Sequence, residues 1–117
     1  MDTKLEKALD FSNYKKAFAV NREVLKEKLE SKLIYGFAGG IFRIDQNLLT
    51  FVQMMIDQDR KTGVPIIDSN GNPILIADLA KFQGEIFDRY FEATLDYFHE
   101  FNKIKKSRTV EKLVDYE

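Results

Sequence analysis

Three groups of residues in this 117-residue chain have types and spacings that could support chemistry. Asp68, Asn70 and Asn72 alternate like the opening of a calcium loop. An EF-type loop, however, places glycine at its sixth position and a bidentate glutamate at its twelfth. Counted from Asp68, those positions hold Pro73 and Leu79, so the calcium reading fails. What remains is a hairpin tip in which Asn70-Gly71 turns the chain and Asp68 and Asn72 accept hydrogen bonds from nearby amides.

The second group is Glu85, Asp88, Glu92, Asp96 and His99, which share one side of a helical pattern. A dinuclear metal bundle draws a Glu-x-x-His pair from each of two helices and further glutamates from two others. The chain has one histidine, and its nearest match is Asp96-Tyr-Phe-His99. These residues therefore read as a solvated face. The third group, Lys105, Lys106 and Arg108, lies beside Tyr97, Phe98 and Phe101. Cations for phosphates and rings for stacking suit a single-strand nucleic-acid binder. Cations at the C-terminal end of a helix are also favoured by its dipole, and that reading is simpler.

Other catalytic apparatus is missing from the sequence. There is no cysteine for thiol chemistry, disulfides or thiolate zinc, and no G-x-S-x-G nucleophile elbow. Gly39-Gly40 is not followed by the lysine of a phosphate loop and does not belong to a G-x-G-x-x-G run. No cofactor motif is present, and the chain reads as non-enzymatic.

The elements that would position these groups follow from periodicity. From Asn13 to Ser31, with Ser12 as cap, Tyr14, Phe18, Leu25 and Leu29 share a face, and a separate short helical turn precedes them at Leu5, Ala8 and Leu9. The segment KLIYGFAGGIFRID reads as a hairpin with arms Lys32 to Phe37 and Ile41 to Ile44 around Gly39-Gly40. Asp45 caps a helix running from Gln46 to about Asp59, whose buried stripe includes Leu48, Leu49, Val52, Met55 and Ile56. A second hairpin carries Pro65 and Pro73, whose missing amide donors make its strands short or place them at a sheet edge. From the cap Asp78 a long helix runs to about Lys106, and TVEKLVDYE forms a last short helix capped by Thr109, with Val110, Leu113 and Val114 as its docking edge.

The expected architecture is a single α+β domain, residues 1–117: a long C-terminal helix packed with two shorter helices, and two β-hairpins forming a small antiparallel sheet. At about 1.5 Å per residue the long helix spans roughly 40 Å, more than a core of this size covers. Tyr90, Phe91, Tyr97, Phe98 and Phe101 on its aromatic face are thus the expected anchors for a second copy or a protein partner. Intrachain core is the other reading of the same rings.

Composition bounds the rest. The sequence is 44% apolar and 32% charged, with ten Phe and five Tyr, as in a folded protein. A net charge of −1 gives no overall attraction to nucleic acid or anionic lipid. Charge is nonetheless uneven: residues 33–102 hold 5 basic and 10 acidic side chains, and the last fifteen hold five basic and three acidic. No apolar run approaches a membrane span and no signal-peptide core follows MDTKLEK, so the chain reads as intracellular.

Together, YGFAGGIFRID, FVQMMIDQ, DSNGNPILIADL, RYFEATLDYF and KKSRTVEKLV resemble small uncharacterised proteins of large contractile-tailed, T-even-type marine bacteriophages. The resemblance covers the chain from the first hairpin onward and includes no catalytic motif. It implies a product made in the host bacterial cytoplasm that serves as a virion component, an assembly factor or a host-directed accessory protein. The sequence thus points to a self-associating or protein-binding structural protein, with a nucleic-acid accessory protein using Lys105, Lys106 and Arg108 as the alternative.

Overall fold

The computed structural model describes the backbone of residues 3–116 and the side chains of residues 3–106. The element order is α1 (Thr3–Lys32), β1 (Ile34–Phe37), β2 (Gly40–Arg43), α2 (Gln46–Asp57), β3 (Thr62–Ile67), β4 (Pro73–Asp78) and α3 (Leu79–Tyr116). The α+β class and the long C-terminal helix are as expected. Two compact units can be distinguished: Met1–Leu29 with Leu95–Glu117, and Glu30–Thr94.

Both terminal helices are longer than their periodicity suggested. The expected turn at Leu5–Leu9 and the helix from Asn13 are one element, because no Gly or Pro interrupts the segment and Ser12 costs a helix interior only some tenths of a kcal/mol. Likewise α3 continues without a break through the expected second start at Thr109. The side chains proposed to cap and dock that last segment, Thr109, Val110, Leu113 and Val114, lie outside the described residues.

The first hairpin turns one residue earlier than expected. Phe37 pairs with Gly40, and Ala38 (φ 52°) and Gly39 (φ 83°) supply the two left-handed residues of a type I′ turn. Gly40 is consequently a buried strand residue, where a Cβ would sit 2.5 Å from Ile74 Cγ1. The hairpins form two two-stranded sheets, β1–β2 and β3–β4, instead of joining in one. In the second, Pro65 pairs with Leu75 and Ile67 with Pro73.

Helix α2 is capped at both ends. Asp45 accepts from the Leu48 amide at 2.8 Å. At the other end Asp59, with φ 62°, takes the left-handed position usual for glycine; its amide bonds Ile56 O and that of Arg60 bonds Met55 O, both at 2.9 Å. Helix α3 opens on Asp78, whose carboxylate accepts from the Lys81 amide at 3.2 Å.

Among the described residues the buried apolar side chains run from Leu33 to Ala93, all within Glu30–Thr94. Strand alternation turns Tyr35, Phe42, Val64, Ile66 and Ile76 inward, and α3 adds Leu79, Phe82 and Ile86. Phe82 is the hub, with ring centroids 5.3 Å from both Phe37 and Phe42 and 6.2 Å from Tyr35. In the other unit, Phe18 meets Phe101 edge-on at 5.7 Å. No side chain of α1 is buried among its described residues.

Gly40→Ala should cost about 1–3 kcal/mol by overpacking against Ile74. Urea denaturation of the double mutant with Ile74→Ala should show favourable coupling between the two changes, because the smaller residue vacates the space that the new methyl needs.

Candidate functional site

The most specific polar arrangement among the described residues is centred on Asp68. Its Oδ1 accepts from the amides of Asn70 (3.0 Å) and Asn72 (2.9 Å), closing the tip of the second hairpin. Its Oδ2 reaches the first hairpin and accepts from the Ile41 amide at 3.1 Å. Ile41 O in turn accepts from the Ser69 amide at 2.9 Å and from the Ser69 hydroxyl. Asp68 is 7% exposed, and its pKa lies below the ordinary 3.8. The Asn72 amide is the largest cause and the Ile41 amide the next; burial opposes them.

Beside this tie lies an open groove of about 560 Å³. Phe42, Leu48, Phe51, Pro65, Ile66 and Ile67 give it apolar walls, and Arg43, Asp45, Asn47, Asp68 and Ser69 edge it. The Arg43 guanidinium is 3.9 Å from Glu30, with both side chains well exposed, so the pair is weak. Sequence reasoning identified Asp68 and the turn but missed the groove, whose two sides are contributed by segments about 25 residues apart.

The expected aromatic anchors do not form one set. In Glu30–Thr94, Tyr90 is half-buried and accepts from Gln46 Nε2 at 3.3 Å, whereas Phe91 is 65% exposed. In the other unit, Tyr97 and Phe101 are half-buried and their rings stack at 6.2 Å, whereas Phe98 is 57% exposed and touches His99 edge-on. Phe87 is exposed with Phe91 in Glu30–Thr94, and Leu95 is exposed with Phe98 in the other unit. Leu95 was absent from the sequence-based face, although its spacing from Phe91 placed it there.

The acidic residues Asp88, Glu92 and Asp96 are exposed with His99. Glu85 differs, because it accepts the Tyr35 hydroxyl while the Arg89 guanidinium lies 4.3 Å from the Tyr35 ring centroid. No group of three or more metal-ligating side chains occurs among the described residues. Lys105 and Lys106 are exposed, and the Arg108 side chain lies outside the described residues. No described helix is long and apolar enough to cross a membrane. Comparison with protein-family models, curated proteins and solved structures finds no match.

Replacing Asp68 by Ala should lower the urea midpoint at neutral pH. Because the folded pKa is depressed, the carboxylate stabilises the fold fully above about pH 4–5, and that contribution is lost as pH falls through the folded value. Stability curves of wild type and Asp68→Ala, measured by circular dichroism from pH 7 downward, should therefore converge in acid.

Proposed function

We propose that the chain is a non-enzymatic structural protein that self-associates through apolar helix surface, and that it is a bacteriophage product made in the host cytoplasm. The observation carrying this reading is that its helices have more apolar surface than their own neighbours cover. In Glu30–Thr94, Leu79, Phe82, Ile86 and Ala93 are buried while Phe87 and Phe91 are exposed, and in the other unit Leu95 and Phe98 are exposed. On α1, Tyr14, Phe18, Leu25 and Leu29 form a half-buried stripe, and Leu5, Leu9, Val20 and Val24 lie exposed on a second arc.

A helix pair buries one stripe per helix; a second stripe needs another layer. A second copy supplies that layer with matching chemistry, because two helix pairs complete a four-helix arrangement. The net charge of −1 offers little repulsion to association between copies. The rings of Phe91 and Phe98 are the anchors, since exposed aromatics contribute most when covered. Tyr90, Tyr97 and Phe101 support them from their half-buried positions.

Light scattering over a concentration series should give at least a dimer for the wild type. Phe98→Lys combined with Val24→Lys should yield a monomer with an unchanged far-ultraviolet spectrum, since both side chains are more than half exposed. A wild type that stays monomeric at every concentration refutes the reading.

A further inference from the structure

The groove beside Asp68 has a backbone pattern that selects a ligand class. In an antiparallel ladder, residue pairs alternate between those that exchange main-chain hydrogen bonds and those whose N–H and C=O point away from the partner strand. The Ile44 amide bonds Leu33 O at 2.7 Å, and β1 and β2 continue in the register Ile34↔Arg43, Tyr35↔Phe42 and Gly36↔Ile41. The bonded pair next to Leu33–Ile44 is therefore Tyr35–Phe42, and the main-chain groups of Ile41 and Arg43 point away from β1. Those of Ile41 do so visibly, bonding Asp68 and Ser69. Arg43, two residues on, directs its N–H and C=O to the same side, where it borders the groove.

The second hairpin supplies the opposite border. The Asp68 amide bonds Asn72 O at 2.9 Å, and Ile67 pairs with Pro73, Ile66 with Ile74 and Pro65 with Leu75. The bonded pair there is Ile66–Ile74, so Ile67 and Pro65 turn their main-chain groups away from β4. Both prolines thus occupy positions whose missing amide the ladder does not need. Ile67 offers an N–H and a C=O, Pro65 offers a C=O, and both residues line the groove.

Two strand edges with outward donors and acceptors therefore border one groove with apolar walls. An extended polypeptide matches this pattern: it presents N–H and C=O together at every second residue, and side chains that alternate between the apolar walls and water. A nucleic acid or a compact apolar molecule satisfies the walls or the edges, but not both.

We propose that this groove binds an extended, apolar peptide segment of a partner protein by strand addition. The segment pairs with the Arg43 edge of β2 and seats alternate side chains on Leu48, Phe51 and Ile67. The site shares no residue with the helix surfaces assigned to self-association, and its residues all belong to Glu30–Thr94.

The test uses the full chain and a displayed library of random decapeptides, with Ile67→Asp as the counter-selection. Ile67 is 72% exposed, so the variant should fold. Peptides enriched on the wild type should bind with alternating apolar residues and shift the amide resonances of Arg43 and Ile67. They should lose at least tenfold in affinity when alternate backbone nitrogens are methylated, a change that removes donors and keeps the side chains. The proposal is overturned if no peptide is enriched over the variant, if the methylated peptide binds equally well, or if the shifts fall instead on Phe91 and Phe98. Solution mass, read separately, reports on self-association and leaves this outcome unaffected.

Discussion

The two hairpins depend on one carboxylate. Asp68 closes its own loop through Asn70 and Asn72 and reaches across 27 residues to the Ile41 amide. Three amides around one ionised group replace the water it leaves behind, which allows an acid to sit at 7% exposure. The same contact sets where the sheets meet. Ile41 is the one β2 residue whose outward groups are engaged by the second hairpin, and beyond it the strands border an open groove.

Gly40 and Ile74 complement that polar tie with a steric one. With no side chain at Gly40, Ile74 comes closer to β2 than a Cβ would permit. Phe82 then fills the space beneath, meeting Phe37 and Phe42 from α3. A fully buried phenylalanine contributes about 1.5–3 kcal/mol, so this small cluster accounts for much of what holds the hairpins to the helix.

Much of this was legible in the sequence, and for a physical reason in each case. Asp45 and Asp78 were readable as caps because a side-chain oxygen before an apolar-periodic run has one local use. Asn70-Gly71 marked a turn, and the prolines marked strand edges. Less legible were features set by contacts distant in sequence. The turn at Ala38–Gly39 instead of Gly39-Gly40 follows from the need for a glycine opposite Ile74, 34 residues away. The Asp68–Ile41 bond between two separate sheets and the groove between Arg43 and Ile67 bring together segments distant in sequence, which spacing alone cannot show. The aromatic face of α3 was legible as a face. Its division into half-buried Tyr90, Tyr97 and Phe101 and exposed Phe91 and Phe98 required knowing what lies beside each turn.

Among the described residues every buried apolar side chain lies between Leu33 and Ala93, which has a consequence for how the molecule opens. Protection of an amide from exchange with solvent deuterium reflects the least costly fluctuation that exposes it. The strands and the first turns of α3 bury the large side chains, so the amides bonded within the two ladders and those helix turns are released only when the core itself comes apart. Helix α1 buries none, and fraying from its N-terminus forfeits little apolar area. One chain can therefore hold two classes of hydrogen bond, separated by whether the surrounding side chains must leave one another before the bond breaks.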